Sequence, residues 1–451
     1  MDRNRDQYMD QKQFREALLR GQGRCVLAVQ KAPARYARQV LWACGHPIAF
    51  DPQCEGSHAF YTYDMVCCYE DRRPFLDTAC AALARARSDG WDGILYFSEL
   101  LALFARDGEP AAEAALWRKY EAMYAALAAR KRRPSGRPFP LLDDFEALCL
   151  AMLDLPDAAG RIAAGLGRLY QQNSLYNGGD LDWLYTCMLE KQGRFLRGLA
   201  KRDEDAAAFL AEKERWEKEW RARSAARQTA RAAQPKPPRQ DPARSIWLRR
   251  NADDEMIRQY ADAYRNETDP ARRAEALGAF CRCPYPGDPA PLLRDAASAH
   301  PALSCAAWDA LRRVRHPQAR QLALDWLARR PADALPVLAH NFTPQDGPLL
   351  EKAVRALPGD DDDRHALFSC LIDHEEEGAR LPAGLLYYLY EIGRCSVCRA
   401  ELVRLLARRR LLTEALLREC LWDANDGLRA DAARRLRQRL HRRLRRRGAT
   451  V

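Results

Sequence analysis

Two stretches of the chain carry the same helix-start pattern at a shift of 31 residues, and this recurrence constrains the fold more than any other feature. Asp269-Pro-Ala-Arg-Arg-Ala-Glu-Ala-Leu-Gly-Ala-Phe is matched by His300-Pro-Ala-Leu-Ser-Cys-Ala-Ala-Trp-Asp-Ala-Leu, with Leu277 answering to Trp308 and Phe280 to Leu311. Weaker echoes begin at Pro331 and Asp426. The start has a physical reason: a capping residue precedes a proline whose missing N–H costs nothing in a first helical turn. Second helices are expected between the echoes, over 291–297, 319–328 and 347–357. A two-helix unit of this length buries its apolar face only by stacking on the next, which predicts an α-solenoid of helix pairs.

The rest of the chain also reads as helical. Apolar residues recur at three and four over 14–19, 95–104 and 116–127, and no run alternates over a strand's length. The fold class is therefore all-α, regular in the C-terminal half and irregular in the N-terminal half. A first helical region covers 1–130, punctuated by Pro33, Pro47, Pro52, Pro74 and Gly90. A second, which the sequence does not separate sharply from it, covers 139–200, with Asp180 as the expected N-cap of its last helix. A long charged helix follows over 203–232, with Phe209, Trp216 and Trp220 on one face. The proline-rich linker 233–243 is the best domain boundary. Repeats then occupy 244–428, and a basic helix and tail occupy 429–451. The acidic runs at 360–363 and 373–377 lack the alternation and glycine of a calcium loop and read as solvated turns, the first interrupting the repeat.

Starts of the Asp-x-x-Arg-x-x-Ala-x-x-x-Leu type, as at Asp269, resemble those of HEAT-like repeats. The stretch Leu41-Trp-Ala-Cys-Gly-His-Pro-Ile-Ala-Phe-Asp-Pro-Gln-Cys-Glu-Gly-Ser-His-Ala-Phe-Tyr is similar to the start of bacterial HEAT-repeat proteins. The repeat resemblance covers about 269–436. It implies an architecture and no activity.

Charge is placed unevenly. The net charge is +11, yet residues 429–447 alone hold ten arginines and one acid, so the remainder is near neutral. The opening residues show no apolar core of a signal peptide, and no apolar run approaches membrane-span length. Fifteen scattered cysteines in a long chain speak against a secreted disulfide framework. A cytoplasmic protein is expected, with no membrane partner.

Two groups of residues are candidates for a site. The densest polar cluster is His46, Asp51, Glu55, His58, Tyr61 and Asp64, with Gln53, Cys54 and Tyr63 among them. It reads as a well-capped helix start, as a ligand or partner site, or as an active site whose side chains would then converge in a pocket. The second candidate is the terminal helix, with Arg434, Arg435, Arg437, Arg439, Arg442, Arg443, Arg445 and Arg446. Its leucines at 436, 440 and 444 would dock it as a cap on the last repeat, and its arginines would meet phosphates or an acidic protein. Cys395 and Cys398 form the only Cys-x2-Cys; with Cys420 alone and His441 remote, the sequence offers no four-ligand zinc set, and two buried helical thiols are expected. No phosphate-binding glycine fingerprint, nucleophile elbow or kinase signature is present. The expected function is a non-enzymatic scaffold binding a protein, without catalytic residues, metal or cofactor. The alternative is nucleic-acid binding of the DNA alkylation-repair type. That reading needs Arg312, Arg313, Arg315, Arg320, Arg329 and Arg330 on one stripe, with Trp308, Trp326 and Asp325 as the residue types around a lesion.

Overall fold

The computed structural model describes residues 8–87, 91–131, 140–233, 254–281, 283–357 and 361–448; side chains at 91, 92, 227–233, 361, 363 and 442–448 fall outside that description. Among the described residues the chain is helical, with two short 3-10 turns and no strand, as the all-α expectation requires. No described helix is long and apolar enough to cross a membrane. Residues 234–243 of the expected linker, and Gly90, lie outside the described residues. The helices form two compact units, one of Met1–Pro235 with Thr413–Val451 and one of Lys236–Leu412.

Unit 1 opens with α1 (Gln11–Leu19), α2 (Arg24–Lys31), α3 (Pro33–Cys44), the single turn α4 (Pro52–Glu55) and α5 (Ala59–Val66). It continues with α6 (Arg73–Arg85), α7 (Trp91–Arg106), α8 (Pro110–Ala128), α9 (Pro140–Met152), α10 (Ala158–Gln172), α11 (Asp182–Leu199) and α12 (Glu204–Ala233). Pro33, Pro52 and Pro110 each occupy a first turn, where no N–H is needed. The apolar helix α7 buries Ile94, Tyr96, Leu100, Leu101 and Phe104 and packs on α5, α6, α8 and α9. The buried Tyr96 hydroxyl donates to the Ala43 carbonyl at 2.7 Å, which satisfies it inside the core. Helix α10 is rich in small residues and lies close against α12: a Cβ on Gly167 would stand 1.7 Å from the Asp205 carbonyl oxygen. Asp180 does not cap α11. Its carboxylate accepts from the Asn177 amide at 2.7 Å and closes the preceding turn, while Leu181 takes the cap position without a side-chain bond.

The last two helices, α23 (Glu414–Cys420) and α24 (Asp426–Gly448), belong to unit 1. The Ala424 amide donates to the Gly21 carbonyl at 2.8 Å, and Arg24 pairs with Glu419 at 2.8 Å. Gly23 permits the approach, since a Cβ there would stand 1.9 Å from the Glu419 carbonyl oxygen. The expected leucine docking of α24 is corrected: Leu428 and Ala432 are buried, Leu436 is half-buried and Leu440 is 56% exposed. Among its described side chains only those of the first turns are covered by a neighbour; Leu444 lies outside the described side chains.

Unit 2 comprises α13 (Asp254–Asn266), α14 (Pro270–Leu277), α15 (Ala290–Ala296), α16 (Pro301–Leu311), α17 (Pro317–Trp326) and α18 (Pro331–Asn341). It ends with α19 (Gly347–Ala356), α20 (Asp361–Glu376), α21 (Ala383–Ile392) and α22 (Ser396–Arg408). Alternate helices pack in series, α14 on α16, α16 on α18, α18 on α20 and α20 on α22. Their first residues, 270, 301, 331, 361 and 396, recur at intervals of 31, 30, 30 and 35. Asp269 accepts from the Arg272 amide at 2.9 Å and the His300 ring accepts from the Leu303 amide at 3.3 Å, each just before its proline. The acidic runs are mostly helical rather than turns: the backbone of 361–363 opens α20 and residues 373–376 close it, Glu377 lies in the turn that follows, and Asp360 lies outside the described residues.

Candidate functional site

The polar cluster of 46–64 separates into distinct structural tasks. His46 stacks on Trp42 with centroids 4.5 Å apart, and its Nδ1 lies 2.8 Å from the Trp42 carbonyl oxygen. Asp51 caps α4 by accepting from the Gln53 amide at 3.1 Å. Glu55 turns back and accepts from the amides of Phe50 (3.0 Å) and Asp51 (3.2 Å). His58, in the left-handed region at φ 63°, buries its ring with Nε2 4.0 Å from the Glu55 carboxylate. Tyr61 donates to the Gln22 carbonyl at 2.8 Å. Glu55 and His58 are thus neighbours, while His46, Tyr61 and Asp64 serve other contacts.

Asp64 meets the second candidate group. Its carboxylate pairs with Arg429, the first arginine of the basic stretch, at 2.6 Å, and that guanidinium also lies over the Phe60 ring at 4.4 Å. Burial pushes the Asp64 carboxyl above its ordinary range despite this partner. Arg434 and Arg435 both bind Asp431, the latter at 2.6 Å, so two of the eight candidate arginines are internally paired. Arg437 is exposed and Arg439 half-buried; the side chains of Arg442, Arg443, Arg445 and Arg446 lie outside the described residues.

The arginines of unit 2 are largely engaged. Arg312 binds Asp309 (3.0 Å), Arg313 binds Glu377 (2.7 Å), Arg320 binds Asp346 (2.6 Å) and Arg330 binds Asp333 (2.8 Å). Arg315 donates to the Glu377 carbonyl at 2.9 Å, while Arg329 is exposed. Trp308 is fully buried with its Nε1 donating to the Ala296 carbonyl at 3.2 Å, and Trp326 packs edge-on to it. Trp308 is part of the core, and Trp326 is half-buried against it.

Unit 1 offers a different surface on α11 and α12. Trp183 is 61% exposed and Trp220 is 54% exposed. The same two helices are joined by a Lys213–Asp182 ion pair, whose ammonium is buried over the rings of Tyr185 (4.9 Å) and Trp216 (4.6 Å). Trp216 in turn stacks on Trp220 at 6.3 Å. Beyond it nearly every described side chain of α12 is solvent-exposed, and the ladder Glu217–Arg221 and Glu219–Arg223 supports the helix at its i,i+4 spacing. The sequence marked the Trp216–Trp220 face; Trp183 carried no signal there, because its exposure depends on how α11 packs.

Two clusters of nitrogen, sulfur and carboxylate ligand atoms lie in unit 2. In one, the Nδ1 atoms of His340 and His374 approach to 3.1 Å, with Glu377 3.7 Å from each. Burial, helped by Arg315 and Arg313, lowers the His340 pKa to about 4, and burial with His340 beside it lowers that of His374 to about 3. The pair is neutral at pH 7, one ring donating to the other. In the other cluster, His365 of α20 meets Cys395 and Cys398 at the start of α22. Cys395 is no helix-interior thiol: it is the N-cap of α22, its sulfur accepting from the Cys398 amide at 3.5 Å.

Comparison with family models, with curated proteins and with solved structures finds no match to this chain.

Proposed function

We propose that the chain is a non-enzymatic cytoplasmic scaffold that binds another protein, built in its second unit as a HEAT-like α-solenoid. The solenoid reading is supported by the serial packing of α14, α16, α18, α20 and α22 at near-constant spacing. The binding reading is carried by one observation, the exposed Trp183 and Trp220 on neighbouring helices. Exposed tryptophans beside an ion pair whose lysine is buried and whose aspartate is open to solvent have the composition of an interface centre. Against the nucleic-acid alternative stand the internal partners of Arg312, Arg313, Arg315, Arg320 and Arg330.

The test is a photo-cross-linking amino acid at 183 or 220 in the host cell. One discrete cross-linked protein is expected, and the same protein should be lost at least tenfold from pull-downs by a W183S/W220S variant of unchanged helicity, a hot-spot-sized effect. Equal recovery with wild type and variant would remove this reading.

A further inference from the structure

We propose that His365, Cys395 and Cys398 hold one divalent cation of the zinc class. The two sulfurs and the imidazole nitrogen all lie within 4.8 Å of one another, and His365 Nε2 is 3.3 Å from Cys398 Sγ. A tetrahedral ion at about 2.3 Å from sulfur and about 2.0 Å from nitrogen separates such ligands by about 3.5–3.8 Å. The His365–Cys398 separation is close to that range and no other pair exceeds it by more than about 1.3 Å, so side-chain rotations suffice to close on an ion.

The backbone explains why they converge. Cys395 is the N-cap of α22 and Cys398 lies in its first turn, so the turn into the helix brings both sulfurs to one side. His365 lies in the second turn of α20, the preceding member of the series and the helix on which α22 packs. The missing ligand of the Cys-x2-Cys pair therefore comes from one repeat earlier in the chain.

The surroundings suit a small ion. The three ligands line a pocket with Phe368, Leu389 and Arg399, and the space at its centre is about 10 Å³, the room of a single water or ion and too little for an organic cofactor. Arg399 is buried, 1% exposed. Its guanidinium and the positive end of α22 both balance the negative charge that two metal-bound thiolates bring. Two thiolates and an imidazole select zinc over magnesium or calcium. The fourth position is left for water. The ion would tie α20 to α22 and pin one repeat against the next. The His340–His374–Glu377 cluster is the poorer host, because Arg313 already holds its carboxylate.

The experiment titrates the full-length, reduced, chelator-treated protein with Co2+, then with Zn2+. One equivalent of cobalt should bind with a thiolate-to-metal charge-transfer band and the visible bands of a tetrahedral centre, and zinc should bleach both. H365A should weaken cobalt binding by about 100-fold or more, beyond the 10–100-fold of an outer-shell change. C395S/C398S should abolish the charge-transfer band, and C305S, which changes an exposed cysteine outside the trio, should leave it intact. A second measurement needs no variant: zinc should protect Cys395 and Cys398, and not Cys305, from alkylation read by peptide mass spectrometry. Absence of the thiolate band, its survival in folded C395S/C398S, or alkylation of both cysteines at the metal-free rate would each overturn the proposal.

Discussion

The two units solve the burial problem differently. Unit 1 has one deep core, in which Phe14, Tyr36, Tyr61, Tyr96, Phe104, Phe145 and Phe209 are buried together with Ala424 of the α23–α24 connection, with Trp422 packed against it. Its helices touch through glycine at Gly23 and Gly167, and the contacts that close it join residues hundreds of positions apart. Unit 2 packs alternate helices in series and adds polar ties between separate segments, such as Arg320–Asp346, Arg313–Glu377 and His340–His374. A core closed by distant segments depends on every segment. A series of neighbours depends on each local tie.

That contrast can be broken most severely at Phe104. F104A empties the centre of unit 1 and should cost about 3–5 kcal/mol, with hydrogen exchange accelerating in α1, α7 and α24 together while α14–α18 keep their protection. Acceleration confined to α7 would mean that unit 1 is not one cooperative core.

The histidine pair of unit 2 gives a pH test. Both folded pKa values lie below the unfolded value of about 6.5, so the unfolded state binds more protons and stability falls as pH drops through 6.5 toward about 4 and about 3. Arg313, Arg315 and Glu377 face the pair from α16–α18 and α20, and the two cations oppose protonation. Between pH 6.5 and pH 5 the loss should be on the order of 3 kcal/mol, read as faster exchange in α18 and α20. H340L/H374L should flatten that dependence; an unchanged slope in the folded variant would assign it elsewhere.

At Gly167 an added methyl group meets backbone, not a side chain that can swing away. G167A should therefore cost about 1–3 kcal/mol in urea unfolding and loosen α10 from α12. A stabilised G167A, as helix propensity alone would give, would show that α12 yields freely.

The smallest effect is expected at a repeat start. D269A removes the cap that accepts from the Arg272 amide and should cost about 1 kcal/mol, with faster exchange limited to α14 and its neighbours. Spread of the change through all of unit 2 would argue against nearest-neighbour behaviour.

Much of unit 2 was legible along the chain because its signals are local. Asp269-Pro and His300-Pro cap and start helices through groups three residues apart, and the 31-residue recurrence places the apolar positions. The acidic run before Arg364 was misleading for a local reason too: carboxylates favour a turn and a helix's first turn alike, and the stacking of α20 on α18 decides between them. In unit 1 the helices were legible and their arrangement was not. Asp64 and Arg429 stood out for separate reasons, and nothing in their spacing announced that they meet.

The amino-acid order alone determined the helices, the caps at Asp269 and His300, the 31-residue recurrence and the concentration of positive charge in α24, since each rests on contacts within a turn or two. Tertiary structure decided the rest. It buried Trp308 and left Trp183 in solvent, returned α23 and α24 to the first helices, and set His365 beside Cys398, 33 residues away. Those outcomes depend on which helix faces pack, and packing is a property of surfaces that no single stretch of chain contains.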